Sequence, residues 1–154
     1  MEDNALINAL TLYLLPSSAS SCTTHPPPTT PLNIVHIAAE LAPRAKVGGL
    51  GDVVAGLSLA CAARGHAVSV MLPWYECVPE ESVVGLTLAD EFECPKGTRG
   101  GSTLRVRVYA GELDGVPVLL IRPDWTSSNL FRGDRIYGGA YNEAEAYLFF
   151  CRAC

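Results

Sequence analysis

The chain has 154 residues, of which 49% are hydrophobic and 18% charged, so it is predicted to form one globular α/β domain rather than a wholly disordered chain. Asp and Glu number 16 against 11 Lys and Arg, and the formal net charge of -5 argues against general nucleic-acid binding. No apolar segment is long enough to span a membrane, so we predict neither a nucleic-acid partner nor a membrane partner.

Residues 1–31 are predicted to be a low-complexity leader or linker. Residues 5–15 are largely apolar, as in a signal peptide, but no Lys or Arg precedes them. Residues 16–31 contain five Pro, four Ser and four Thr and no charge, which predicts a flexible or partly polyproline spacer. The folded domain is therefore predicted over residues 32–154.

Residues 32–72 read as the opening of a Rossmann-like domain. An apolar run at 32–39 predicts a strand buried on both faces of a parallel sheet, and residues 66–72 predict a second such strand. Between them a glycine-rich loop leads into a helix, which we expect to start with Asp52 as its N-cap and to end at Arg64 before Gly65. The packed face of that helix is predicted from helical spacing to be Val53, Val54, Leu57, Ala60 and Cys61.

The second half is predicted to add a hairpin and a closing helix. Residues 78–88 are ambiguous, whereas residues 103–113 alternate and residues 116–121 are apolar, with Asp114 and Gly115 between them as a two-residue turn. We interpret this as a β-hairpin inserted at the sheet edge. A final helix is predicted from Asn142 to Cys154, and because it is apolar on almost all sides, we expect a continuation of the chain to cover it.

The six cysteines have irregular spacing, which predicts mostly free thiols in a reducing compartment. Cys151 and Cys154 form a CxxC pair, but a single pair cannot complete a four-ligand zinc site. We therefore predict no metal site and place both cysteines on a buried helix face.

The segment KVGGLGDV, at residues 46–53, carries the chemistry. Glycines let backbone amides approach an anion, the start of a helix adds partial positive charge, and Lys46 adds a full charge. These features predict a site for the phosphates of a sugar nucleotide. A dinucleotide fingerprint would need a third glycine where Val54 stands, and a P-loop needs its Lys after the glycines. The predicted substrate-binding residues are Lys46, Gly48, Gly49, Gly51 and Asp52, and no catalytic residue is assigned.

This loop resembles the signature of starch synthases and bacterial glycogen synthases. Similar segments are HIAAE at 36–40, VMLPWY at 70–75 and FFCRA at 149–153, so the resemblance covers about residues 33–154. Relatives often have Arg-Phe where this chain has Ala146 and Tyr147. The resemblance leans toward the soluble starch synthase III-like branch.

The resemblance implies an incomplete Rossmann-like N-terminal domain of a GT-B glycosyltransferase. It further implies transfer of glucose from ADP-glucose to the non-reducing 4-OH of an α-1,4-glucan, with no cofactor and no metal. Lys46 would neutralise donor phosphate or position the acceptor near it, and the amides of Gly48 and Gly49 would face the sugar or the diphosphate. Because the C-terminal GT-B domain is missing, we expect this chain alone to be inactive. A plastid location is implied by the family alone.

Two other functions remain open from the sequence. A non-catalytic glucan-binding or regulatory fragment would need stacking residues, and the available candidates are Trp74, Tyr75, Tyr137 and Tyr141. The chain could instead come from a GT-B transferase with a different nucleotide sugar.

Several residues near the loop have structural interpretations as well. Glu40 either touches substrate or accepts hydrogen bonds from loop amides, and Asp52 is interpreted as a helix cap rather than a catalyst. His36 is predicted to be a hydrogen-bonded core histidine.

Overall fold

The computed structural model describes residues 30–95 and 102–154, and the predicted leader lies outside them except for its last two residues. The described chain folds as one five-stranded mixed sheet with two α-helices. In chain order the elements are β1 (Asn33–Ile37), α1 (Gly49–Ala63), β2 (Ala67–Pro73), a 3-10 turn (Glu80–Ser82), β3 (Val83–Pro95), β4 (Thr103–Leu113), β5 (Val116–Pro123) and α2 (Glu143–Ala153).

The strands lie in the order β1-β2-β5-β4-β3. The β1, β2 and β5 strands run parallel, whereas β4 is antiparallel to both β5 and β3. The β-α-β opening and the hairpin are confirmed, and the hairpin turns at Asp114 and Gly115, both with positive φ. However, β5 is central in the sheet rather than at its edge, because its apolar side chains, buried on both faces, pair with β2 as a third parallel strand.

The edge position belongs to β3, a 13-residue strand in a region that the sequence left ambiguous. Its side chains do not alternate cleanly between buried and exposed, because the pairing with β4 shifts register between Val84 and Thr87 and again between Leu88 and Asp90. Such bulges disrupt the period of two from which a strand is recognised.

The prediction that β1 is buried on both faces is wrong. Val35 is 41% exposed and Ile37 is 59% exposed, because β1 is the other edge strand and only β2 pairs with it within the described residues. An apolar run thus correctly predicted a parallel strand but not its position in the sheet.

Two details of α1 also differ from expectation. The helix begins at Gly49 with Gly48 as N-cap, so Asp52 lies inside the first turn and is not the cap. The buried residues are Gly51, Val54 and Ser58, whereas Val53 and Leu57 are exposed. An apolar spacing pattern cannot detect a buried face that includes Gly and Ser.

The closing helix begins as predicted. The Asn142 side chain caps α2 by accepting a hydrogen bond from the Glu145 amide at 3.1 Å. The described cysteines are free, as expected, but Cys151 and Cys154 are exposed rather than buried. The buried residues of α2 are instead Ala146, Phe149, Phe150 and Ala153. No helix in the described ranges is long and apolar enough to cross a membrane.

A cationic side chain lies among aromatic rings beside the hairpin. The Arg122 guanidinium carbon lies 5.1 Å from the Trp74 ring centroid, 4.6 Å from that of Tyr109 and 5.5 Å from that of Trp125. The same guanidinium donates hydrogen bonds to the Tyr109 hydroxyl and to Glu80. This cluster ties β5 to β4 and to the end of β2.

Candidate functional site

The glycine-rich loop follows the carboxyl end of β1 and runs into the amino end of α1. Open parallel sheets bind their ligands at this edge, where strands end and helices begin. The Gly48 backbone is extended, and no side chain caps the helix that follows. The first helical amides therefore depend on other groups of the loop, or on a ligand, for their hydrogen bonds.

A buried carboxylate is at the centre of the loop. Glu40 is only 4% exposed, and its Oε2 accepts hydrogen bonds from the amides of Val47 and Gly48, both at 3.0 Å. Its Oε1 accepts the Tyr137 hydroxyl at 3.0 Å. Burial raises the pKa of Glu40, but the bonds from Gly48, Val47, Tyr137 and the Gly51 amide outweigh burial and hold that pKa below its usual value. Of the two interpretations offered for Glu40, the structure therefore favours the acceptor of loop amides.

The three predicted glycines occupy different surroundings. At Gly48 and Gly49 no atom of residues 30–95 or 102–154 lies within 4 Å of where a Cβ would be, so both border open space in this part of the chain. At Gly51 a Cβ would lie 3.1 Å from the Ala42 nitrogen and 3.2 Å from Lys46 Cγ. Gly51 therefore lets the loop fold tightly onto α1, and the Ala42 amide also donates to its carbonyl oxygen at 3.1 Å.

The two charged site residues pair with each other. Lys46 Nζ lies 2.7 Å from the Asp52 carboxylate, and both side chains are partly exposed, at 36% and 59%. Asp52 thus holds Lys46 beside the start of α1 instead of capping the helix. An approaching anion would compete with Asp52 for the ammonium group.

The structure brings all five predicted site residues to this one loop and helix start. The groups there that can meet an anion include the Gly49 amide, which has no partner within the helix because Gly49 is its first residue, and the partly exposed Lys46 ammonium group, which is paired with Asp52. The Gly48 amide is already bound by Glu40. The arrangement can attract a phosphate through partial and full positive charge, and substrate binding by these five residues stays a prediction.

Most aromatic candidates for glucan stacking are unavailable. Trp74 and Tyr75 are 1% and 0% exposed, and Tyr141 is 6% exposed, so all three pack inside the domain. Tyr137 is half-buried and bonded to Glu40. The glucan-binding alternative therefore loses most of its proposed contact surface.

Sequence reasoning did not find the contact between Tyr137 and Glu40. The two residues are 97 positions apart, and no local spacing pattern connects a loop tyrosine to a distant carboxylate. His36 also differs from its prediction, because its Nε2 is buried with no hydrogen-bond partner among the described residues. In those same residues no group of three or more His, Cys, Asp or Glu could hold a metal ion.

Comparison with known families gives one match over nearly all of the folded chain. The profile described as "Starch synthase catalytic domain" matches residues 33–154. Similar proteins include the probable starch synthase 4 of Arabidopsis thaliana, which is 38% identical over 82% of this chain and 12% of its own length. The soluble starch synthase 3 of Solanum tuberosum is 39% identical over 80% of this chain and 9% of its own length.

Bacterial proteins match as well, and so does a solved structure. The glycogen synthase of Protochlamydia amoebophila is 37% identical over 79% of this chain and 23% of its own length. The solved catalytic domain of starch synthase IV from Arabidopsis thaliana, bound to ADP and acarbose, aligns with a TM-score of 0.69 and 38% identity. That alignment covers 80% of this chain and 24% of the solved chain.

These matches agree with the fold, which corresponds to the N-terminal part of the GT-B catalytic domain of starch synthases. The chain spans only about a tenth to a quarter of the length of these three relatives. The family is nonetheless shown by a profile that covers the whole described fold from the first strand onward. The chain belongs to the starch synthase catalytic domain family of glycosyltransferases, which includes plant starch synthases and bacterial glycogen synthases.

Proposed function

We propose that this chain is the N-terminal part of a catalytic unit that transfers glucose from ADP-glucose to the non-reducing 4-OH of an α-1,4-glucan. The observation that carries the proposal is the family match over residues 33–154. The solved starch synthase IV domain, which binds ADP and acarbose, supports a nucleotide sugar and a glucan as the two substrates.

We assign the diphosphate side of the donor to the loop. Departure of ADP leaves growing negative charge on the diphosphate, and fixed positive groups stabilise that charge most in the transition state. Lys46 and the Gly49 amide supply such groups at the start of α1, next to open space. Asp52 keeps Lys46 oriented until the diphosphate replaces it as partner.

We propose that a second Rossmann-like domain is needed for turnover. The chain covers 24% of the solved catalytic domain that it resembles, so most of the donor contacts are expected elsewhere. Purified chain should therefore show no ADP-glucose-dependent elongation of glycogen or amylose primer. Turnover near that of a complete synthase would contradict this proposal.

A chimera tests the role of the loop. Residues 33–154 would replace the matching segment of an Arabidopsis starch synthase IV catalytic domain, and glucan elongation would be measured with ADP-glucose. In this chimera Lys46→Gln should lower kcat by about a hundredfold, the magnitude typical of removing one transition-state contact.

Arg64→Gln is the matched control, since it removes one exposed positive charge at the opposite end of the same helix. Equal activity of the two variants would refute a special role for Lys46. A chimera that accepts another nucleotide sugar better than ADP-glucose would overturn the donor assignment.

We further propose a plastid location. The plant relatives are named as chloroplastic or amyloplastic, although the bacterial relatives belong to the same family. A tagged full-length gene product should colocalise with chlorophyll or with starch granules. The starch synthase III-like branch stays a prediction, because the starch synthase 3 and 4 relatives differ by one per cent in identity.

A further inference from the structure

Three neighbouring tyrosines contact the glycine-rich loop, two of them joined to each other by a hydrogen bond. Tyr147 of α2 has its hydroxyl 3.0 Å from that of Tyr75 at the end of β2. Tyr75 donates to the Ala39 carbonyl oxygen at 2.9 Å. The ring centroids of Tyr147 and Tyr137 are 6.2 Å apart, and Tyr137 donates to Glu40. The cluster therefore contacts two consecutive residues of the loop, Ala39 and Glu40, shortly after the end of β1.

The direction of each hydrogen bond follows from counting protons. A tyrosine hydroxyl has one proton to donate. Tyr75 uses its proton on Ala39, so Tyr147 is the donor in the bond to Tyr75. Burial raises the pKa of Tyr75, Tyr137 and Tyr147, and all three remain protonated donors at neutral pH.

We propose that the Tyr147 hydroxyl is a positioning group that holds the glycine-rich loop in its binding conformation. It orients Tyr75, which fixes Ala39, the residue directly before Glu40. The Tyr147 ring packs beside Tyr137, which holds the Glu40 carboxylate, and Glu40 in turn holds the amides of Val47 and Gly48. Helix α2 is thereby connected to the loop that follows β1, more than 90 residues earlier in the chain. The catalytic benefit rests on the proposed function, whereas the effect on the loop does not.

Amide exchange measured by NMR on the full 154-residue chain tests the positioning directly. Tyr147→Phe removes only the hydroxyl oxygen and its proton. We expect exchange of the Val47 and Gly48 amides to become about fivefold faster, because one hydrogen bond contributes about 1 kcal/mol. Tyr137→Phe should give a larger change, since it removes the direct contact with Glu40.

Tyr141→Phe is the matched control. Its hydroxyl also donates a buried hydrogen bond, to the Ile136 carbonyl oxygen at 2.5 Å, but this bond does not reach Ala39 or Glu40. The Val47 and Gly48 amides should keep their exchange rates in this variant. Equal acceleration by Tyr141→Phe and Tyr147→Phe would refute the proposal, as would no acceleration by Tyr147→Phe.

A pH titration tests the same contact through the ionisation of Glu40 rather than through amide exchange. The Gly48 amide shift should follow ionisation of Glu40, and its midpoint should rise in Tyr147→Phe and Tyr137→Phe but not in Tyr141→Phe. An unchanged midpoint in Tyr147→Phe would overturn the proposal. Neither measurement needs ADP-glucose or glucan, so failure here is distinct from failure of the proposed function.

Discussion

The Oε2 atom of Glu40 lies 3.0 Å from the amide nitrogen of Gly48. The glycines suit this loop to bind an anion, and its amides already bind one, the carboxylate of Glu40. The internal carboxylate fixes the loop, and the groups that we propose for an external phosphate are the Gly49 amide and Lys46, which is paired with Asp52. The loop is thus pre-organised before any ligand arrives.

Replacement of Glu40 by Gln should destabilise the protein by about 1–3 kcal/mol, because its amide group cannot accept all the hydrogen bonds of a carboxylate. Urea unfolding followed by far-ultraviolet circular dichroism measures this loss. Glu93→Gln is the control, since Glu93 is about half exposed and pairs loosely with Arg105 at 3.7 Å, and its effect should stay within about 0.5 kcal/mol.

Lowering the pH should reduce the free energy of unfolding of the wild type more than that of the Glu40→Gln variant. The pKa of Glu40 is lowered in the folded state, so its stabilising contribution is complete above the unfolded pKa of about 4.3 and is lost as pH falls through the folded pKa. The free energies of unfolding of the two proteins should therefore converge between about pH 5 and pH 3. A difference that stays constant over this range would contradict the lowered pKa.

Two glycine-to-alanine changes in α1 should have opposite effects. Gly56 has no atom within 4 Å of a Cβ position, so Gly56→Ala should stabilise the helix by about 1 kcal/mol. At Gly51 the new methyl group would press on the Ala42 backbone nitrogen, and Gly51→Ala should destabilise by about 1–3 kcal/mol. Thermal unfolding of the two variants gives the comparison, and a stabilised Gly51→Ala variant would contradict the close approach.

Lys46→Gln should leave stability almost unchanged. The pair that Lys46 forms with Asp52 is exposed to solvent, and such pairs contribute little. The free energy of unfolding should change by less than about 0.5 kcal/mol in urea titration. A larger loss would mean that reduced activity in the chimera reflects unfolding rather than the missing charge.

If the chain self-associates at high concentration, we expect β1 to form the contact. This edge strand exposes Val35 and Ile37, whereas the other edge strand is interrupted by bulges that hinder pairing. Ile37→Lys should therefore reduce association in sedimentation velocity, and Val84→Lys on β3 should not. Equal effects of the two lysines would contradict a contact through β1.

The sequence predicted the β-α-β opening because apolar runs and glycine punctuation report directly on buried strands and tight loops. It also predicted the Asn142 cap and the turn at Asp114 and Gly115, which depend only on local chemistry. The predicted start of α1 was too late in the chain, because Gly49 and Gly51 are typical of a loop, although both are already helical.

What the sequence could not predict depends on contacts between distant segments. The exposure of β1 follows from which strand takes the sheet edge, and the role of Glu40 depends on amides and on a tyrosine far away in the chain. In the same way, the five predicted site residues are near neighbours in the sequence, whereas the Gly48 amide is bound by Glu40, a buried side chain outside the signature.

The aromatic cluster around Arg122 determines what intrinsic fluorescence can report. The chain has two tryptophans, Trp74 and Trp125, and both contact this one guanidinium. Emission from indole therefore senses the hairpin side of the molecule, and a variant with a loosened glycine loop should keep the spectrum of the wild type. A dye or isotope label placed near residue 47 would be needed to see that loop move.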